Sequence, residues 1–391
     1  MMTASKTLSV MVSAGEASGD AHAAHAIEAL RDQAVQATCF GMGADALQKV
    51  GVELIVDCRD LAVIGIVDVL INYPRFMKRL ALLRETMRQR MPDILVIVDY
   101  PDFNLKLAQT AKSLGIPVLF YISPKVWAWR AGRVERISKL VSHMAVLFPF
   151  EVEIYQQAGV PVTYVGNPVV ADAVSAFTIQ EARQHFNLQT DKPVVTLLPG
   201  SRTGEIMRNL PAMLATASII ARQVPDCQFL LPVAPTLSAS FINETIGQSD
   251  IASLSVVTGD SRHAMRAADV ALVASGTATL ETAMVGTPLV VMYIINQINY
   301  AIMKRLIKIP DISLVNIVAG KRIVPEYVQH EATPEAMASD VLSLMHDDQR
   351  RQQMHTEFSR LKELMGDEGA STRVAELILQ LTRPERVAVP V

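Results

Sequence analysis

The 391-residue sequence holds only 3 cysteines, Cys39, Cys58 and Cys227. They form no CxxC pair and their number is odd, so neither a disulfide framework nor a zinc ribbon is supported, and a reducing compartment is implied. Charge is scarce as well. Only 19% of residues are charged, and 36 Lys+Arg against 39 Asp+Glu leave a net of -3, whereas a general nucleic-acid binder is expected to be basic. The sequence has no GxxxxGK[ST] loop, no GxSxG elbow, no HExxH helix and no Asp-x-Asp clamp, which removes the commonest phosphate-loop, hydrolase and metal-dependent classes. The 8 histidines are scattered, and His22 with His25 has no further ligands nearby in sequence. No metal and no cofactor are therefore expected. At the N-terminus, Leu8 to Ala14 is too short an apolar run for a signal peptide before Gly15 and Glu16 interrupt it, so the chain is expected in the cytoplasm.

What is present is apolar: 50% of the residues are hydrophobic, enough for a large buried core. A chain of this length suggests two domains. Short runs rich in Val, Ile and Leu alternate with segments of helical period: Leu8 to Ser13, Ile94 to Asp99, Val118 to Ser123, Ala145 to Phe148 and Tyr164 to Gly166. After a polar stretch the pattern restarts with Val194 to Leu198, Phe229 to Val233, Leu254 to Val257, Val270 to Ala274 and Leu289 to Ile294. Runs apolar on both faces fit parallel sheets covered by helices. The fold class expected is α/β, two Rossmann-like doubly wound domains, 1–176 and 177–391, facing a cleft, followed by C-terminal helices that can pack back on the first domain. Thr282 to Met303 is uncharged over 22 residues, but Gly286, Pro288, Asn296, Gln297 and Asn299 break it. It reads as a buried strand followed by a helix rather than a membrane span.

In such sheets ligands sit beyond the carboxyl ends of the strands, so the residues there are the candidates. The first strand runs into Gly15-Glu16-Ala17-Ser18-Gly19-Asp20. This is either an ordinary turn, with Ser18 or Asp20 capping the next helix, or a close backbone approach to a ligand. Gly41-Met42-Gly43 looks like a dinucleotide fingerprint, yet no convincing ribose-binding acid follows. Asp99-Tyr100-Pro101-Asp102-Phe103-Asn104 offers two carboxylates. Asp102 is explained by capping a helix from Asn104, whereas Asp99 at a strand end is better placed as a general base. Ser123 to Arg130 holds both tryptophans, Trp127 and Trp129, as a ligand wall or as core packing, with Arg130 and Arg133 as anion partners. In the second half, Gly200-Ser201-Arg202 with Glu205, and Ser275-Gly276-Thr277-Ala278 with Glu281, are two small-residue loops at strand ends. Together they suit a nucleotide diphosphate, with Glu281 accepting from ribose hydroxyls.

Arg75, Lys78, Arg79, Arg84, Arg88 and Arg90 stand among Phe76, Leu80, Leu83 and Met87 at helical spacing, after the nearly apolar run Leu61 to Ile71. A basic helix with an apolar stripe lies either on an anionic membrane or with its stripe against the core.

Taken together, these residues resemble the lipid A disaccharide synthase family, glycosyltransferases of the GT-B fold. The matching stretches are GEASGD (15–20), LAVIGIVDVL (61–70), DYPDFN (99–104), SPKVWAW (123–129), PFE (149–151), LLPGSR (197–202) and ASGTATLE (274–281). They run in the family's order and span nearly the whole chain. Asn167, Lys125 and Val315 depart from the pattern, and Asn167 removes any histidine role at its turn. The resemblance implies transfer of 2,3-diacylglucosamine from its UDP donor to 2,3-diacylglucosamine 1-phosphate with inversion, giving the β-1',6-linked disaccharide 1-phosphate and UDP. It implies Asp99 as base, Ser201, Arg202 and Ser275 to Ala278 on the diphosphate, and Glu281 on the ribose. Further substrate contacts implied are Gly15, Glu16, Ser18, Gly19, Asp102, Asn104, Trp127, Glu205 and Asn316. The partners it implies are the two acylated sugars and the anionic inner face of the inner membrane, with a homodimer left open and no nucleic acid. Two other readings stay open at this point: another enzyme on the same scaffold, a UDP-N-acetylglucosamine 2-epimerase or a different lipid-linked glycosyltransferase, and a two-domain protein that binds a sugar nucleotide without chemistry.

Overall fold

The computed structural model describes residues 7–33, 35–61, 66–127, 132–172, 177–234, 237–247, 251–297, 300, 310–366 and 369–382, with backbone alone at 61, 66–72, 171 and 172. The chain forms two compact units, Met1–Asn167 with Glu368–Val391, and Pro168–Asp367. The sequence suggested a boundary at 176/177. The units divide earlier, because the helix Pro168–Asp172 belongs to the second.

In the first unit seven strands, β1 (Leu8–Ala14), β2 (Ala37–Gly43), β3 (Glu53–Asp57), β4 (Ile94–Val98), β5 (Val118–Tyr121), β6 (His143–Val146) and β7 (Val162–Tyr164), form a sheet in the order β3-β2-β1-β4-β5-β6-β7. Every pairing is parallel. Side chains alternate along each strand. Leu95 and Ile97 enter one core layer with Leu80, Leu83, Met87 and Phe103, while Ile94, Val96 and Val98 enter the other with Ala23, Ile27 and Leu30. The C-terminal helix Ala370–Thr382 completes this second layer through Val374, Leu377 and Ile378, and Arg373 Nε donates to the Val165 carbonyl at 2.7 Å.

The basic amphipathic segment is the helix Ile66–Arg90. Its stripe is not offered to lipid, since Leu80, Leu83 and Met87 are fully buried and Phe76 packs against the same core. Several of its cations have intramolecular partners: Arg75 and Arg79 pair with Asp60, Arg88 with Glu85, and Arg90 with Glu53. The run Leu61 to Ile71 lies where side chains are outside the described residues.

The second unit repeats the scheme with β8 (Val194–Leu198), β9 (Gln228–Val233), β10 (Leu254–Thr258), β11 (Val270–Ala274), β12 (Leu289–Tyr293) and β13 (Glu326–Val328), ordered β10-β9-β8-β11-β12-β13, again parallel. The described part of Thr282 to Met303 includes a helix end and β12, and among the described residues no helix is long and apolar enough to cross a membrane. In both sheets the strand order reverses between two neighbours, β1 with β4 and β8 with β11, and loops leaving such a pair diverge and open a crevice.

Gly41-Met42-Gly43 is part of β2 rather than a loop, and a Cβ on Gly41 would lie 1.9 Å from the Val12 carbonyl oxygen. Gly41 thus serves close strand packing, and Gly43, where a Cβ would lie 2.4 Å from Leu47 and 2.7 Å from Asp20, makes room for those side chains rather than for a dinucleotide. Asp20 likewise has a structural task. Its buried carboxylate accepts from the N–H groups of Ala44, Ala46 and Leu47 at 2.7, 2.9 and 3.4 Å, so it caps the helix Asp45–Lys49 instead of its own. Replacing it strands those donors. Asp20→Ala is expected to cost about 1–2 kcal/mol of unfolding free energy in urea titrations, and an unchanged midpoint would contradict the capping role.

Candidate active site

The turn after β1 and the turn after β4 stand side by side at the reversal of the first sheet. They are tied by Asn104, in the first turn of the helix Pro101–Ser113. Its fully buried amide donates to the carbonyls of Ser13, Val98 and Asp99 at 3.2, 3.2 and 2.7 Å, and its Oδ1 accepts from the Ser13 hydroxyl at 2.6 Å. A side chain so fully engaged is not open to a substrate, so Asn104 positions the site rather than binding at it. The backbone it grips is strained. Asp99 and Tyr100 both have positive φ, 45° and 46°, a region that costs non-glycine residues roughly 1–3 kcal/mol. Tyr100 in turn explains Gly15, since a Cβ there would fall 2.2 Å from the Tyr100 ring. Gly15 is thus a packing requirement, and Gly19, where a Cβ would make ordinary contacts, is not a cradle either.

On this backbone the Asp99 side chain is half-buried and feels the charge of Glu16, which stands exposed at the N-cap of the helix Ala17–Asp32, with Ser18 exposed in its first turn. Burial, then the Glu16 charge, push the Asp99 carboxyl above the usual aspartate range, against the Tyr100 N–H and the Lys125 charge. A carboxylate raised in this way is a better proton acceptor than an exposed one. Asp102 differs. The helix begins at Pro101 rather than Asn104, and Asp102 is exposed in its first turn, 2.7 Å from Arg133. It stands inside the helix, whose N-cap is Tyr100, and pairs with Arg133. Trp127 donates its indole N–H to Glu151 at 3.3 Å and meets Phe150 edge-on at 5.4 Å; Trp129 and Arg130 lie outside the described residues.

In the second unit the loops after β8 and β11 are neighbours. Gly200 has φ 115°, and a Cβ on it would meet Glu205 Oε2 at 2.6 Å. Glu205 folds back there, accepting from the N–H groups of Ser201 and Arg202 at 3.3 and 3.4 Å and from the Arg202 guanidinium at 3.3 Å. Its carboxylate closes the start of the helix Thr203–Gln223, a different role from substrate contact. Arg202 remains 77% exposed. Two neighbours escaped the sequence reading. Arg208 reaches back to within 3.2 Å of the Cβ position at Gly204, and Tyr293 at the end of β12 feels the charges of Glu205, Arg202 and Arg208. The helix Thr277–Val285 opens at Gly276 with no side-chain cap and with open space where a Cβ would stand. Thr277 is exposed, Ala278 and Glu281 half-buried. Ser275 is fixed beside it, donating its hydroxyl to the Ile312 carbonyl at 2.9 Å.

Asn316 is buried. Its amide donates to Glu326 at 2.6 Å and to the Val324 carbonyl at 3.0 Å, and its Oδ1 accepts from the N–H groups of Ile323 and Val324. Glu326 also accepts from the Ile312 and Ser313 N–H groups. Asn316 therefore holds the segment on which Ser275 leans. Glu326 was missed, although a lone acid in Ile323-Val324-Pro325-Glu326-Tyr327-Val328 is the signal of a buried hydrogen-bonded carboxylate. A further grouping, His185, Asp260 and His263, could by spacing hold an ion, but its members already hydrogen-bond one another.

Residues 10–380 match a family model described as Lipid-A-disaccharide synthetase. The lipid-A-disaccharide synthase of Syntrophus aciditrophicus (strain SB) is 42% identical over 374 residues, 96% of this chain and 98% of that protein. The lipid-A-disaccharide synthase of Myxococcus xanthus (strain DK1622) is 42% identical over 378 residues, 97% and 98%. Among solved structures, a UDP-GlcNAc 2-epimerase from Neisseria meningitidis bound to UDP-GlcNAc is similar with a TM-score of 0.61 at 14% identity, covering 95% of this chain and 99% of that one. A glycosyltransferase from Rickettsia africae ESF-5 gives 0.57 at 10% identity, covering 98% and 100%. At such identities the likeness is one of fold.

Glu151, 2% exposed, has its carboxyl pushed up to about 7, chiefly by burial, against hydrogen bonds from Ser123, Phe148, Trp127 and Leu147. Its folded pKa thus lies above the unfolded one, so the stability it contributes is full below about pH 4.5 and is lost as pH rises through 7. Between pH 5 and 7.5 the wild-type unfolding free energy is expected to fall relative to that of Glu151→Gln, by at most on the order of 3 kcal/mol. Parallel pH profiles for the two proteins would refute this.

Proposed function

The chain belongs to the lipid-A-disaccharide synthetase family and is a glycosyltransferase of lipid A synthesis, and from that premise we propose that it moves 2,3-diacylglucosamine from its UDP donor to 2,3-diacylglucosamine 1-phosphate with inversion. A single displacement needs a base on the acceptor hydroxyl and a stabilised leaving group. Asp99 is the base in this reading, taking the proton from the 6-hydroxyl as its oxygen attacks the anomeric carbon. The observation that supports it best is the Asp99 carboxyl itself, raised by burial and by Glu16 on a backbone held in an unfavourable conformation.

The departing UDP is received by the second unit. The uncapped start of the helix Thr277–Val285 presents Ser275 to Ala278 to the diphosphate, and the exposed Arg202, with Arg208 near the same loop, adds positive charge. Backbone N–H groups and guanidinium groups fixed before the reaction stabilise the new negative charge without having to reorganise. Glu281, one turn into that helix, accepts from the ribose hydroxyls, and Ser201 lies beside Arg202 on the loop after β8. No metal or cofactor enters this scheme.

Both substrates carry acyl chains, so the protein works at the anionic inner face of the inner membrane. Because the stripe of the helix Ile66–Arg90 is spent on the core, the lipid-facing surface in this reading is the outer side of that helix, where Lys78 and Leu82 are exposed.

Asp99→Ala is expected to lower turnover by at least about 10²-fold with UDP affinity retained, and Arg202→Ala to weaken UDP binding in calorimetry. Full turnover in the first variant removes the base assignment. Flotation with anionic liposomes is expected to be salt-sensitive and weaker in Lys78→Glu; absence of flotation at low salt contradicts the membrane reading.

A further inference from the structure

The helix Pro149–Gln157 starts just past β6, and Glu151 in its first turn makes more contacts than a helix cap needs. Oε2 accepts from the Phe148 N–H at 3.2 Å, which satisfies the helix start. The remaining contacts reach the loop leaving β5. Oε1 accepts from the Trp127 indole at 3.3 Å, and from the same helix the Tyr155 hydroxyl lies 2.7 Å from the Ser123 hydroxyl, which donates to the Pro124 carbonyl at 3.0 Å. Ser123 and Trp127 thus bracket Lys125, one of the positions where this chain departs from the family pattern, and Lys125 itself is exposed.

β5 is the neighbour of β4, with Tyr121 opposite Val98, and the Asp99 N–H donates to the Tyr121 carbonyl at 3.2 Å. The loop that Glu151 grips therefore begins beside Asp99. We propose that Glu151 is a positioning residue for Asp99: its buried carboxyl holds the Trp127 end of the 123–127 loop, whose Ser123 end meets Tyr155 of the same helix, and so keeps the Lys125 ammonium facing the base. This rests on Asp99 being the base.

The charges and donors facing Asp99 are Glu16 from the turn after β1, Lys125 from the loop after β5, and the Tyr100 N–H. Those facing Glu151 are Ser123, Trp127, the Phe148 and Leu147 backbone, and Tyr155, on which Arg133 also acts. The Lys125 charge acts on the base in the opposite sense to that of Glu16. Released from its clamp, it no longer offsets the Glu16 charge, and Asp99 keeps its proton to higher pH.

The test is kcat/KM against pH for the full chain and for Glu151→Ala, Ser123→Ala, Lys125→Ala and the Glu151→Ala/Lys125→Ala pair, with Asp99→Asn as reference. The acid limb, which reports the base in the free enzyme, is expected to move up by roughly half a pH unit in each single variant. The pair is expected to move it no further than Lys125→Ala alone. In a Trp129→Phe background, the emission of Trp127 shifts to the red in Glu151→Ala, while UDP affinity stays within about twofold. Ser123→Ala leaves the Phe148 cap in place and decides the matter where Glu151→Ala fails to fold. A limb that stays put in a folded Ser123→Ala or Glu151→Ala protein, or shifts that add in the pair, overturns the proposal and leaves Glu151 a helix cap. Full turnover in Asp99→Asn overturns the base assignment instead, a distinct failure.

Discussion

The carboxyl edge of the first sheet depends on one buried amide. Parallel strands that diverge at a reversal of strand order leave backbone carbonyls without ladder partners, and Asn104 gathers those of Ser13, Val98 and Asp99. With the ends of β1 and β4 so joined, the left-handed backbone at Asp99 and Tyr100 is held against its own preference. The Tyr100 ring then covers Gly15, and the Asp99 carboxyl sits beside Glu16 in a partly buried setting. The raised proton affinity of Asp99 follows from that sequence of constraints.

The second unit solves the same problem with a different residue. Asn209 donates to the Pro199 carbonyl and accepts from the Ile294 N–H, both at 3.0 Å, joining the loop after β8 to the end of β12. Glu205 folds over Gly200, and the Asn316–Glu326 pair supports the segment under Ser275. Between these internal ties stand the groups left facing outward: the Arg202 guanidinium and the uncapped start of the helix Thr277–Val285. Rigid scaffolding beneath and exposed donors above suit a site that must receive a doubly charged leaving group without rearranging.

Much of this was legible in the residues. β4, with Ile94 to Val98 apolar on both faces, and β8 and β11 announce themselves, and with them the loops that follow. β2 hid behind Gly41 and Gly43, and β13 behind its brevity and a buried acid. The roles of polar residues were harder to read. Asn104, Glu205 and Asn316 occupy strand-end loops as Asp99 and Arg202 do, and a local sequence does not reveal whether a side chain faces a ligand or a carbonyl distant in the chain, 91 positions away for Asn104 and Ser13. The stripe Phe76, Leu80, Leu83, Met87 shows the same limit: periodicity identifies an apolar face but not what covers it. Arg208 and Tyr293 gained meaning only once β8 and β12 were folded around them.

The most direct test of the account is UDP release by the purified protein from UDP-2,3-diacylglucosamine, with and without 2,3-diacylglucosamine 1-phosphate, in the presence of EDTA. Release that requires the acceptor, survives EDTA and leaves a β-linked disaccharide phosphate in the organic phase is the predicted result. Release without acceptor, or UDP binding with no release at all, would contradict it.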